Sequence, residues 1–173
     1  MNESIKKIKL VLDLDKTIWD CYDKNLNEIW AKQLVPPFTL SNNSNDLIDD
    51  VGGICRLKTD FRVFLEDVFS LGLTISYLSV GARLGVPLEF QPSFLALKKF
   101  EILKYFLGVS HLLYKTEKKI NYFHKDQTYL FIDDSDEVIK SVNDLEYINV
   151  IDAKFIKSWK KQTLKVQELL KTN

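Results

Sequence analysis

Two aspartates, Asp13 and Asp15, follow a short apolar run at residues 10–12, and Thr17 lies just beyond them. In an extended backbone, residues two apart point the same way, so these two carboxylates leave the strand together. Neighbouring carboxylates are costly to keep ionised without a cation or a proton between them. The pattern therefore asks for a metal ion. Polar groups recur where other apolar runs end: Ser79 after 73–78, Lys115 after 111–114, and Asp133-Asp134 after 129–132. A parallel sheet brings such run ends to one edge, which is where open α/β sheets bind ligands. Carboxylates, a lysine and a hydroxyl gathered there suit phosphoryl transfer. A carboxylate-held cation and a lysine neutralise phosphate oxygens, while a second role for a carboxylate is in-line attack on phosphorus. Each signal alone is weak, because aspartate favours strand-end turns and small residues end strands generally. The reading rests on the four together, in order.

The elements that must position these groups alternate along the chain. After the first strand, residues 20–57 contain Pro36-Pro37, a polar cluster at 41–46 and Gly52-Gly53. This stretch reads as an irregular insertion over the active-site edge, with a small β-hairpin turning at 51–54, too short for a core of its own. Thr59 reads as a helix N-cap with Asp60 in the first turn. Phe61, Phe64, Leu65, Val68 and Phe69 follow at helical spacing, and Gly72 ends the helix. Strand 73–78 comes next, then a helix opened by Pro92-Ser93 and running to 105–108. Strand 111–114 precedes a helix capped by Thr116 and passing through Ile120 and Phe123. Strand 129–132 leads into a brief helix capped by Asp134 or Ser135, and 147–151 is the fifth strand. The tail from Lys154 is an amphipathic helix. This alternation predicts right-handed crossovers and an α/β fold. The expectation is a single domain over 1–173, a three-layer α/β/α sandwich with a mostly parallel, Rossmann-like five-stranded sheet and no large cap domain.

Composition narrows the function classes. Lysine and arginine total 24 against 24 acidic residues, so net charge steers the chain toward neither nucleic acid nor an anionic membrane. Hydrophobic content of 46% supports a packed core rather than disorder. The start, Met-Asn-Glu-Ser-Ile-Lys-Lys, lacks the apolar centre of a secretory leader, and the uncharged run 68–82 is shorter than the ~20 residues of a membrane helix. A cytoplasmic protein, monomer or weak dimer, is expected. Cys21 and Cys55 are expected to be reduced and structural. Neither opens a Cys-x5-Arg phosphate loop, since Asn27 and Phe61 stand at the arginine positions. His111 and His124 are too few for a zinc site and receive no role. Trp19, Trp30 and Phe38 are candidates for lining a substrate approach.

Asp13-Leu-Asp-Lys-Thr17 resembles the first motif of the haloacid dehalogenase (HAD) superfamily of phosphohydrolases, with Ser79, Lys115 and Asp133-Asp134 matching motifs two to four. Within that superfamily the chain resembles the magnesium-dependent phosphatase family. The similarity runs through Thr17-Ile-Trp19, Pro36-Pro-Phe38, Ser70-Leu-Gly72, Tyr105-Phe106, Lys115-Thr-Glu117 and Phe131-Ile-Asp-Asp134, over about residues 9–151. The resemblance implies a HAD-like fold and a Mg2+-dependent phosphatase acting through an aspartyl-phosphate on phosphotyrosine or small sugar phosphates. Asp13 would be nucleophile and metal ligand. Asp15 would be the proton donor, lending its backbone carbonyl to the metal. Thr17 would support the loop. Ser79, with Val80, and Lys115 would bind phosphate, and Asp134 with Asp133 would complete the metal site. Lys118 and Lys119 are alternatives to Lys115, which is preferred because it ends a strand. The family often places arginine after the motif-two serine. Here Val80-Gly-Ala follows, leaving Arg83 as a candidate substitute. A transferase on the same scaffold, or a non-catalytic binding module, is the alternative reading.

Overall fold

In the computed structural model, which describes residues 8–172, the apolar runs become strands of two sheets. Residues 1–7, where no leader is expected, and Asn173 lie outside the described residues. The order begins with β1 (Lys9–Leu12), β2 (Trp19–Tyr22), β3 (Glu28–Ile29), β4 (Thr39–Leu40), β5 (Asp46–Ile48) and β6 (Ile54–Leu57). Next come α1 (Phe61–Ser70), β7 (Thr74–Val80), α2 (Pro92–Lys99), β8 (His111–Leu113), β9 (Tyr129–Asp133), α3 (Asp136–Val142), β10 (Ile148–Asp152) and α4 (Trp159–Thr172).

The main sheet has the order β10-β9-β1-β7-β8, and its pairings are parallel. Leu12 sits opposite both Tyr77 and Ile132, so the residues after β1, β7 and β9 emerge at one edge. The chain moves outward from β1 through β7 to β8, then returns to β9 on the other flank. Its direction reverses between β1 and β9, and crevices at such reversals are where open sheets bind ligands. Alternation along the strands sorts the core. Leu10, Leu12, Ile75, Leu130 and Ile132 pack with residues of α1, α2 and α4. Val11, Leu78 and Phe131 pack with Val138 and Val142 of α3 on the opposite face. The expected α/β class and five-strand parallel sheet are present.

Residues 20–57 depart from expectation. They are not an irregular excursion with one hairpin but, together with Trp19, a five-stranded antiparallel sheet of order β3-β2-β6-β5-β4. The tight turn between β5 and β6 is organised by Asp49. Its carboxylate accepts the Val51 and Gly53 N–H groups (3.0 and 2.6 Å) and that of Val35 (2.8 Å). Cys21 and Cys55 face each other across β2 and β6, both free and buried.

Three helix readings also change. The residue preceding α1 is Asp60, left-handed at φ 62° and without a side-chain cap, so Thr59 is not the N-cap. At its far end, the Leu73 N–H reaches Val68 O and the Gly72 N–H reaches Phe69 O, with Gly72 at φ +80°. That is the glycine-terminated double bond expected of such an end. α2 stops at Lys99 instead of running to 105–108. The same pair of bonds closes it (Ile102 N–H to Leu97 O, Glu101 N–H to Lys98 O), with Glu101 left-handed at φ 60°. That turn buries Phe100 and Ile102 completely, which outweighs roughly 1–2 kcal/mol of backbone cost. The helix expected after Thr116 shrinks to one 3-10 turn, Lys119–Tyr122. Ser135 does cap α3, accepting the Val138 N–H at 3.4 Å. No helix among the described residues is long and apolar enough to cross a membrane.

Between α1 and α4, Phe61, Phe64 and Trp159 form an aromatic cluster, Trp159 lying 4.9 Å from each phenylalanine ring. Phe64→Ala is expected to cost about 3–5 kcal/mol, the usual range for emptying a buried aromatic site. Urea unfolding measures it, and a loss under about 1 kcal/mol would contradict this packing.

Candidate active site

The last hydrogen bond of the β1–β9 ladder, Asp13 N–H to Ile132 O (2.9 Å), fixes Asp13 at the sheet edge. The chain then turns sharply. Leu14 O accepts from Thr17 N and Ile18 N, and Lys16 N–H returns to Trp19 O with Lys16 left-handed at φ 64°. A non-glycine residue there costs roughly 1–2 kcal/mol, and such strain clusters at functional sites. The turn brings the Thr17 hydroxyl to Asp13 Oδ2 at 3.3 Å.

Asp133 ends β9 on the same side of the sheet as Asp13. Between them lies the Lys119 ammonium, 2.5 Å from Asp13 Oδ1 and 2.6 Å from Asp133 Oδ2. All three side chains are at most 7% exposed. The Ser135 N–H holds the other oxygen of Asp133 at 2.8 Å. Burial alone would depress the Lys119 ammonium, but the charges of Asp13 and Asp133 outweigh it and raise it above its ordinary value. Burial, then the Asp13 charge, holds Asp133 and the half-buried Asp134 above the usual carboxylate range. Asp13, Asp133 and Asp134 each offer a carboxylate oxygen, all within 4.8 Å of one another. An all-oxygen donor set fits a hard cation such as Mg2+ or Ca2+ better than a soft one. Both oxygens of Asp13 and both of Asp133 already accept bonds, from Lys119 and Thr17 and from Lys119 and Ser135, so a cation held here would share those oxygens with their present donors.

Asp15 is not among this trio. Its Oδ1 accepts the Trp19 indole N–H (3.0 Å) and the Ala31 N–H (2.8 Å), while the buried Oδ2 has no partner. Burial pushes its carboxyl up to about 6 against the pull of those two donors. It can therefore hold a proton near neutral pH and give it up, as a general acid must.

These groups line one cleft of about 540 Å³, together with Val80, Trp30 and Lys115. Of the lysines considered for the ammonium, Lys119 reaches the carboxylates. Lys115 and Lys118 are exposed on the cleft wall. The reason is local: Lys115 lies past the end of β8, whereas the 3-10 turn swings Lys119 inward. Ser79 lies within β7, buried at 1% exposure, and does not line the cleft, whereas its neighbour Val80 does. Arg83 does not substitute as a phosphate ligand. Its guanidinium is spent on the carbonyls of Lys32 (2.5 Å) and Leu34 (2.8 Å). Trp30 lines the cleft, but Trp19 is fully buried behind Asp15 and Phe38 is buried as well. Trp19 and the Ala31 amide are the contributors that spacing did not reveal. The four-residue step from Asp15 to a tryptophan was the available hint.

The fold and the geometry thus define a class: an α/β protein with an acidic, lysine-bridged site at the switch point of a parallel sheet. In sequence comparison no protein-family model matches the chain, and no curated protein matches it either.

Two outcomes follow for the cation-free protein. In the folded chain Asp15 keeps its proton to about pH 6, against 3.8 for the ordinary group, so folding takes up a proton between those values. Stability from this group falls as pH rises through that window, by up to roughly 3 kcal/mol at 1.36 kcal/mol per pKa unit. Urea unfolding in chelator at several pH values should show a downward slope that Asp15→Asn flattens, and equal slopes in both proteins would contradict it. Lys119→Met should cost about 3–5 kcal/mol at neutral pH, as breaking a buried pair does. Acid or a divalent cation should restore part of that loss, and thermal melts with and without the cation measure it.

Proposed function

We propose that this protein is a divalent-cation-dependent phosphomonoesterase of the haloacid dehalogenase type, forming an aspartyl-phosphate on Asp13. The observation that supports this reading is the Lys119 ammonium joining Asp13 to Asp133, with Asp15, held by the Trp19 indole and the Ala31 amide, two residues from Asp13. Those are the nucleophile, counter-charge, carboxylate and proton donor that phosphoryl transfer requires.

Asp13 and Asp134, with Asp133 behind them, would hold the cation, which when bound neutralises phosphate oxygens. An Asp13 oxygen attacks phosphorus, and the bond to the leaving oxygen breaks as Asp15 delivers its proton there. Asp15 then takes a proton from water as the water oxygen attacks phosphorus, releasing inorganic phosphate and restoring the Asp13 carboxylate. Lys119 keeps Asp13 ionised and offsets the charge gathering around it. Val80, Lys115 and the exposed Trp30 line the same cleft and are the side chains that would meet the phosphate and the ester group. The site is open enough for phosphotyrosine or a small sugar phosphate, with Mg2+ the fitting ion.

The test is phosphate release from p-nitrophenyl phosphate in the presence of Mg2+. Wild-type protein should turn over, chelator should stop it, and Asp13→Asn should abolish it. Turnover that survives chelation, or full activity in Asp13→Asn, would overturn the reading.

A further inference from the structure

The groups around Asp15 form a chain of contacts that ends on an arginine outside the cleft. The Ala31 N–H that holds Asp15 Oδ1 opens a 3-10 turn, Ala31–Gln33, in the antiparallel sheet's segment. Ala31 and Leu34, both buried in the main core cluster, seat that turn by packing. Arg83, from the loop after β7, ties it down by donating to Lys32 O and Leu34 O. Arg83 is itself fixed by Gln91, 3% exposed, which accepts the Arg83 N–H (2.8 Å) and donates to Arg83 O (3.0 Å) and Val86 O (2.7 Å). Two donors on Oδ1 leave Oδ2 as the oxygen without a partner.

We propose that Arg83 is a positioning residue for proton transfer: by clamping the 31–34 turn it aims the Ala31 amide at Oδ1 of Asp15 and so sets the orientation of the carboxyl that serves the leaving group. This rests on the phosphatase reading and adds to it the element that orients the acid. In the step concerned, the Asp15 O–H bond breaks and the proton passes to the ester oxygen as the P–O bond opens and the Asp13–phosphorus bond forms. Without Arg83 the turn keeps its buried Ala31 and Leu34 and the Val35 N–H bond to Asp49 but loses the two bonds that fix its carbonyls, so the Ala31 amide is aimed less well and the Asp15 carboxyl is oriented less well.

Leaving groups separate this role from a general loss of structure. p-Nitrophenolate departs with little protonation, whereas an alkoxide needs the proton, so the rate ratio of a propyl to a p-nitrophenyl monoester reports proton delivery. That ratio is independent of how much protein is folded. General acids contribute about 10²–10⁴-fold, and misplacement of a held group forfeits part of that. Arg83→Met is therefore expected to lower the propyl-to-aryl kcat ratio by about tenfold with little change in either KM. Arg83→Lys, which retains one donor for the carbonyls, should fall between Met and wild type. An unchanged ratio in both variants, with wild type active on both esters, overturns the positioning role and spares the phosphatase reading. Wild type active on the aryl ester alone also overturns it, because Asp15 then delivers no useful proton. Wild type inactive on both esters overturns the phosphatase reading and this inference with it.

Discussion

One buried ammonium is what the centre of this molecule depends on. Lys119 lies between Asp13 and Asp133, its side chain only 5% exposed, and Asp134 stands within reach of both. Removing these charges from solvent is expensive, and only close pairing with further hydrogen bonds offsets the expense. The Thr17 hydroxyl on Asp13 and the Ser135 amide on Asp133 provide such bonds. Three carboxylates against one ammonium still leave an excess of negative charge when all are ionised. Burial first, and that excess through the Asp13 charge second, holds the carboxyls of Asp133 and Asp134 above their ordinary range. A divalent cation would satisfy it in another way, and the same imbalance is what makes the cluster a plausible seat for one.

The antiparallel sheet is less an appendage than a second wall of the same site. Trp19 opens it and reaches back to Asp15, and the 31–34 turn adds an amide to the same oxygen. Trp19 also stacks on Phe100 at 6.2 Å, which ties that wall to the end of α2. Asp15 therefore answers to a different part of the chain than Asp13 does. One carboxylate belongs to the parallel ladder and its neighbouring strands, the other to the inserted sheet. Their environments differ, and in the proposed reaction that difference would separate their roles, as environments commonly do for paired carboxylates.

Much of this was legible from the amino acids, and what was not has physical causes. The five parallel strands are dense apolar runs between breakers, so the α/β class and the acidic edge at Asp13, Asp15 and Asp133-Asp134 were visible. The inserted sheet was not, because its strands are two to four residues long. Alternation cannot declare itself over so few positions. Choosing Lys115 followed from a rule about strand ends, whereas the deciding fact was a loop: the chain past β8 makes one 3-10 turn and a long side chain spans the remaining distance. Ser79 shows the converse limit. Strand ends place residues at the right edge, but the parity of the pleat decides which of Ser79 and Val80 meets the cleft. Arg83 follows them in the loop after β7 yet is spent on backbone carbonyls that no pattern in its own neighbourhood foretold.

The placement of β1 has a bearing on how the site breathes. It is the middle strand, paired on both flanks, and its ladder extends through the Asp13 amide. Backbone in such a position opens to solvent last, close to the free energy of unfolding the whole domain, while edge strands and loops open far more cheaply. Lys119 hangs from a short turn beyond the edge strand β8. The two halves of the central ion pair thus belong to regions of very different local stability. Amide exchange should be slowest at the carboxylate end and faster at the ammonium end, so that fluctuation exposes the cluster by withdrawing its lysine while Asp13 keeps its place.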